Sequence, residues 1–356
     1  MKINFTPGPS QLFFTVEGHA RQAFREGIPS ISHRSKQFEH IYQSVKDGLK
    51  ALLGLPDSFH VAFTGSATEV WERSIENLVT EKSLHFVNGS FSARYYEIAK
   101  QLGRRPEKYE VTEGLGFNEY TPQGSPELIA LTHNETSTGV SLPLDFIHSF
   151  RSIHPDALVV VDAVSSLPYP AFDYTKIDAV FFSVQKAFGL PAGLGVWLLN
   201  DRCVARAESR LAQGHTTGSY HSITSLISLA KKNQTPETPN VLGIYLLSRV
   251  LEDFNRRGSG TLRKETEYKA TLLYQALEQS TVASPFVHQP SFRSNTVIVA
   301  QCNHQTEAIT KALAAQGMQP GDGYGKFKTT QLRFANFPTH SKEQYEQLVD
   351  ALAALG

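Results

Sequence analysis

The sequence predicts an α/β protein, with a large domain built on a mostly parallel sheet between helices and a small C-terminal α+β domain. Three observations carry that expectation. Between about residues 60 and 200, apolar runs of strand length alternate with stretches of helical periodicity, the order expected of parallel strands covered on both faces. At 234–239 the polar segment Gln-Thr-Pro-Glu-Thr-Pro interrupts the alternation, and a different pattern follows. The length, 356 residues, exceeds what one compact core usually holds. The expected division is therefore 1–245 for the large domain, N-terminal segment included, and 246–356 for the small one.

Taken in order, Thr-Pro-Gly-Pro-Ser at 6–10 breaks both helix and central strand and reads as a shaped loop. Ser32, His33, Arg34 and Lys36 make a polar, basic stretch just before helical periodicity at 38–53. Arg34 is a candidate anion clamp, because a guanidinium meets carboxylate or phosphate oxygens in pairs; taken by itself, a loop arginine is more often simply solvated. Residues 60–64 read as a strand, and Gly65, Ser66, Ala67 and Thr68 turn it into a helix with apolar positions at Val70, Trp71 and Leu78. Backbone N–H groups at such a helix start favour phosphate, and the Ser66 and Thr68 hydroxyls add donors. The same turn also reads as a simple N-cap. It lacks the GxGxxG spacing of a dinucleotide fold.

A strand is expected at 83–89, then Phe91 and a helix at 93–102. A ring at that place either stacks on a flat cofactor or joins the core. Residues 127–132 form another apolar run that ends in polar residues, among which Thr136 can hydrogen-bond a ring oxygen or a phosphate. A helix at 143–154 precedes the run 157–162, and further runs occupy 179–184 and 193–200. Beyond the proline-rich loop, 242–254 and 261–279 are helical in pattern, separated by Gly258, Ser259 and Gly260. Strands at 294–299 and 331–334 and helices at 305–316 and 342–355 complete the small unit. Arg333, in the second of those strands, is another candidate anion clamp facing the large domain.

Lys+Arg and Asp+Glu are equal at 34 each, so no net field draws nucleic acid or an acidic membrane, and any anion must be caught locally. Cys203 and Cys302 are the only cysteines and lie far apart, which excludes a disulfide scaffold and a CxxC metal or redox site. No metal site is expected. The first residues lack the apolar core of a signal peptide and no run approaches a membrane span, so the expected setting is the cytoplasm.

The chemistry concentrates at two strand ends. The apolar run 179–184 leads directly to Gln185 and Lys186, and the run 157–162 ends on Asp162, where a parallel sheet places binding residues. A lysine desolvated in a pocket becomes nucleophilic, and an aspartate beside a heterocyclic nitrogen stabilises the protonated ring. That pairing is what pyridoxal phosphate (PLP) needs. Either residue alone reads also as a snorkelling lysine or a helix-capping aspartate.

Six stretches then fall in order along nearly the whole chain: Asn-Phe-Thr-Pro-Gly-Pro at 4–9, Ser-His-Arg-Ser-Lys-Gln-Phe at 32–38, Asn-Glu-Thr at 134–136, Asp-Ala-Val-Ser-Ser at 162–166, Gln-Lys at 185–186 and Gln-Thr-Pro at 234–236. Together they resemble the class V aminotransferases of the PLP-dependent fold-type I superfamily, and within it the phosphoserine-forming branch. The resemblance implies that Lys186 carries PLP and that Asp162 pairs with the pyridine nitrogen. It implies that Ser66, Ala67, Thr68, Gln185, Gln234 and Thr235 hold the cofactor phosphate, that Thr136 touches the ring oxygen, and that Phe91 stacks on the ring. His33, Arg34 and Arg333 would bind the substrate's anionic groups.

The implied reaction moves the amino group of L-glutamate to 3-phosphohydroxypyruvate, as in serine biosynthesis. The implied assembly is a homodimer with shared sites, in which Arg34, Gln234 and Thr235 serve the partner's cofactor. Phe91 stands where the family usually has tryptophan, and Gln234 where it has asparagine. The turn at 65–68 lacks an arginine that some members use, and the loop 186–193 is one residue longer than is common for phosphoserine enzymes. These last two departures point toward the alanine–glyoxylate and serine–pyruvate aminotransferases as the alternative. A desulfurase would need a cysteine in a mobile Gly/Ser-rich loop, which neither cysteine occupies.

Overall fold

A computed structural model describes residues 2–355. Its large sheet has seven strands in the order Phe59–Thr64, Gly195–Asn200, Ala179–Ser183, Leu158–Asp162, Leu128–Thr132, Ser83–Val87 and Glu107–Glu110. Strand Gly195–Asn200 runs antiparallel to both its neighbours, and every other pairing is parallel. Because the reversed strand lies between them, Phe59–Thr64 and Ala179–Ser183 point the same way. The residues that follow Thr64, Asp162 and Ser183 therefore gather at one edge of the sheet, where binding residues belong in such folds.

Side-chain alternation divides the core. Val159, Val161, Val180 and Phe182 pack on one face with the helices Lys36–Leu53 and Val241–Arg257. Leu158, Val160, Ala179 and Phe181 pack on the other face with Ala67–Leu78, Ser90–Gln101, Asp201–Ala212 and Ile223–Ala230. Both faces of the central strands are buried, which is why these strands read as unbroken apolar runs.

The small sheet has five strands in the order Ile3–Phe5, Met318–Asp322, Gln331–Ala335, Val297–Gln301 and Ser284–Pro285. Helices Ser259–Gln279, Thr306–Ala315 and Lys342–Ala353 pack on it through Leu273, Leu277, Leu313, Tyr345 and Leu348.

The expected division after residue 245 falls within one helix, and the N-terminal segment reaches the smaller sheet. Residue 245 falls inside the helix Val241–Arg257, whose Ile244, Leu247, Val250, Leu251 and Phe254 fill the large core. Its continuous apolar face cannot be divided between two cores. That helix runs on to Arg257, with the break at Gly258. At the other end, Ile3–Phe5 pairs in parallel with Met318–Asp322, so the N-terminal strand belongs to the small sheet.

Candidate active site

One cavity of about 230 Å³ opens at the edge where the strand ends gather. Its lining includes Ser66, Ala67, Thr68, Phe91, Thr136, Asp162, Gln185 and Lys186, so eight of the expected residues meet at one place. Gly8, Pro9, Trp71, Thr132, Asn134, Val164 and Ser183 complete it.

Asp162 ends the strand Leu158–Asp162 and is 3% exposed. Its Oδ1 accepts from the Val164 N–H at 2.9 Å, and its Oδ2 accepts from the Trp71 indole N–H at 2.8 Å. Burial nevertheless pushes its carboxyl up to about 6, against the downward pull of those two bonds. The group is poised for a cation that would share its pocket.

Lys186 follows Ala179–Ser183 by three residues, and its Nζ donates to the Pro7 carbonyl at 2.7 Å. Desolvation brings its amine down to about 8, with Arg333 pushing the same way and Asp162 and Glu135 opposing. An amine held there is partly neutral near physiological pH, as a nucleophile must be. Gly8 makes the close approach possible: its φ is 152°, and a methyl group on it would run into the Lys186 amine. The strap carrying Pro7 and Gly8 returns to the large unit where Ser10 N–H donates to Gln185 O at 3.0 Å and Phe13 N–H donates to Gly189 O at 2.9 Å.

The turn after Thr64 starts the helix Ala67–Leu78, with the Ser66 side chain accepting from Glu69 N–H. The Ala67 N–H donates to Ser183 Oγ at 2.9 Å, which fixes the turn against the lysine strand. Phe91 sits in the first turn of Ser90–Gln101, its ring centroid 5.8 Å from the Lys186 Nζ. Thr136 Oγ1 donates to Ser165 Oγ at 2.7 Å. Arg333 lies at the rim, its Nη1 donating to Thr136 O at 3.2 Å and its Nε to Asp322 O at 2.7 Å.

The remaining expected residues do not line the cavity. Arg34 Nη1 donates to Gln234 Oε1 at 3.0 Å, and Gln234 Nε2 donates to Glu39 Oε1 at 3.1 Å. Thr235 is buried, donating from Oγ1 to Glu237 O at 2.8 Å. His33 is held below its ordinary range by burial and by Arg34, with Glu237 opposing. These four form a second cluster on the same chain. Trp71 is the functional side chain that sequence reasoning missed, read there as one apolar position of a helix. A buried indole N–H needs an acceptor, which was its available signal.

The donor set fits PLP. Gln185 Oε1 and Asn134 Oδ1, both of residues lining the cavity, are buried without a hydrogen-bond partner. A buried carboxylate lacking a cation, an amine near neutrality and a helix-start turn face the same space. Among the described residues there is no group of His, Cys, Asp and Glu that could hold a metal ion.

The family model for aminotransferase class-V matches residues 3–323. The chain is 30% identical over 326 residues to a phosphoserine aminotransferase of Rhodococcus opacus strain B4, covering 90% of this chain and 86% of that protein. It is 52% identical to a phosphoserine aminotransferase of Cytophaga hutchinsonii whose crystal structure superposes with a TM-score of 0.98, over 99% of this chain and 98% of the other. The alanine–glyoxylate aminotransferase of a Nostoc species shares the fold at a TM-score of 0.84, with 19% identity over 99% and 95% of the two chains.

Proposed function

We infer the reaction from the premise that the chain belongs to the class V aminotransferases and, within them, to the phosphoserine aminotransferases. It is a PLP-dependent transaminase that moves the amino group of L-glutamate to 3-phosphohydroxypyruvate, yielding 2-oxoglutarate and O-phospho-L-serine. The observation that carries the substrate assignment is the 52% identity, over 99% of this chain, with a phosphoserine aminotransferase.

When bound, PLP supplies an electrophilic carbon for the amino group and a ring that takes up the electrons left by the departing α-proton. Lys186 would hold the cofactor, and its amine, brought near neutrality by burial, would serve as the base that carries the substrate's α-proton. Asp162 would pair with the ring nitrogen and favour its protonated form, and Trp71 and Val164 hold the aspartate in place. Ser66, Ala67, Thr68 and Gln185 take the phosphate at the helix start, where N–H groups and the helix dipole favour an anion. Phe91 would cover the ring, Thr136 would meet its oxygen, and Arg333 would receive a substrate carboxylate at the rim.

Arg34, Gln234 and Thr235 would serve the partner's site in a homodimer, with His33 beside them. Their gathering into one cluster, with none of them lining the cavity, supports that assignment. Two buried free cysteines agree with a reducing, cytoplasmic setting. Among the described residues no helix is long and apolar enough to cross a membrane.

The test is a coupled assay of glutamate with 3-phosphohydroxypyruvate, hydroxypyruvate and glyoxylate. A phosphate held by at least two charge-assisted bonds, each worth about 1.5–3 kcal/mol, should favour the phosphorylated acceptor by at least about 100-fold in kcat/KM. Equal or better turnover of glyoxylate would move the chain to the alanine–glyoxylate type.

A further inference from the structure

We propose that Glu135 is a positioning residue for the transamination: from the short strand Asn134–Glu135, it caps the helix that carries Phe91 and so holds that ring over the cofactor. The proposal rests on the reading of Phe91 as the residue that covers the ring.

Helix Ser90–Gln101 has Gly89 at its N-cap and therefore no capping side chain of its own. Its first three N–H groups are nevertheless all taken. Ser90 N–H donates to Ser137 Oγ at 3.0 Å, Phe91 N–H to Glu135 Oε1 at 3.3 Å, and Ser92 N–H to Glu135 Oε2 at 2.9 Å. Ser137 Oγ donates on to Glu135 Oε1 at 2.6 Å, Ser137 N–H donates to the same oxygen at 3.1 Å, and Ser92 Oγ donates to Oε2 at 2.8 Å. Both carboxylate oxygens thus receive N–H donors, which only an acceptor on each side can satisfy.

The carboxylate is 0% exposed and also meets the positive end of the helix dipole. Gly89 is what lets it in, since a methyl there would lie 2.5 Å from Glu135 Cγ and 2.6 Å from Ser137 Oγ. The turn that follows Glu135 reaches the rest of the site. Thr136 O holds Arg333, and Thr136 Oγ1 holds Ser165, three residues beyond Asp162. Glu135 also lends negative charge to the neighbourhood of Lys186, raising its amine against the effects of burial and Arg333.

The experiment is a double-mutant cycle read in the PLP dissociation constant of the apo-protein. Glu135→Gln keeps the shape but turns one oxygen into a donor that faces N–H groups. It should weaken PLP binding about tenfold, whereas in a Phe91→Ala background the same change should cost less than about threefold. Equal costs in the two backgrounds, or an unchanged constant, overturn the proposal. Ser137→Ala removes the hydroxyl link and leaves the carboxylate, so it covers the case in which Glu135→Gln does not fold. It should weaken binding about threefold and lose that effect without Phe91; additivity there also overturns the proposal.

Phe91→Ala alone tests the reading beneath: if it leaves PLP affinity unchanged, Phe91 does not cover the ring. A second readout needs no cofactor. The pH midpoint for cyanate modification of Lys186 in the apo-protein should fall in Glu135→Gln, because a negative charge that raises it is gone; an unmoved midpoint overturns the electrostatic part.

Discussion

Replacing Asp162 by asparagine separates the two things its carboxylate does. The side chain keeps its shape, but an amide has one acceptor oxygen where the carboxylate has two. Trp71 Nε1–H at 2.8 Å and Val164 N–H at 2.9 Å each use a different carboxylate oxygen. Whichever way the amide lies, one donor then faces an NH₂ group. At a side chain only 3% exposed that orphaned donor costs about 1–3 kcal/mol of stability.

The larger loss is the negative charge proposed to face the ring nitrogen. Removing one partner of a buried ion pair costs about 3–5 kcal/mol, and each 1.36 kcal/mol is tenfold in rate, so the glutamate half-reaction should slow by about 10² to 10⁴. PLP should still bind, since Lys186 and the phosphate turn are intact. The assay is stopped-flow absorbance of the loaded protein mixed with glutamate, beside an equilibrium titration with PLP. A half-reaction within about threefold of the wild-type rate would refute the role assigned to Asp162.

Three further outcomes are expected. Mixing Lys186→Ala and Arg34→Ala chains under subunit exchange should restore roughly a quarter of wild-type activity, since about half the dimers are mixed and each has one intact site; exchange without recovery would place Arg34 at its own chain's cofactor. Gly8→Ala puts a methyl against the Lys186 amine at a backbone angle that suits glycine, so unfolding stability should drop by about 1–3 kcal/mol and PLP capture should slow, both measurable on the apo-protein. Burial lowers His85, His133 and His340 to about 3, so the unfolded chain binds protons that the folded one refuses. Their contribution is whole above about pH 6.5 and is lost as pH falls toward 3. In the apo-protein Asp162, raised to about 6, works in the opposite sense as pH rises from 4 to 6. Replacing His85 by asparagine should flatten the acid limb of a denaturation series by about one proton, or 1.4 kcal/mol per pH unit; an unchanged slope would refute the assignment.

The parts of the site that follow a buried strand were legible in the sequence. The runs ending on Asp162 and leading to Lys186 announce themselves because both faces of those strands are covered. Side chains that act across the fold were not. Trp71 reaches Asp162 over 91 residues, and Glu135 caps a helix 43 residues earlier, so neither leaves a local pattern. The reversal of Gly195–Asn200 is equally silent, since a fully buried strand looks the same in either direction. Helices Val16–Arg25 and Ile223–Ala230 do not combine a cap and a period strong enough to announce them. The five-stranded small sheet was read from two strands, because Ile3–Phe5 and Ser284–Pro285 are too short to show a period and Met318–Asp322 contains both proline and glycine.

The pairing of Ile3–Phe5 with Met318–Asp322 also sets a timetable for biosynthesis. A ribosome adding about 5–20 residues each second needs roughly 15 to 60 s to reach the partner of a strand it made at the outset. Through that interval the strands at 59–200 can pair and bury their apolar faces, yet the strap over Lys186 lacks its outer anchor. Joining ends more than 300 residues apart adds little loop entropy once the intervening domain is compact, so this closure comes late and quickly. A nascent chain released before residue 318 would keep the strap's inner hydrogen bonds at Gln185 and Gly189 but leave its outer end, Ile3–Phe5, without a partner strand.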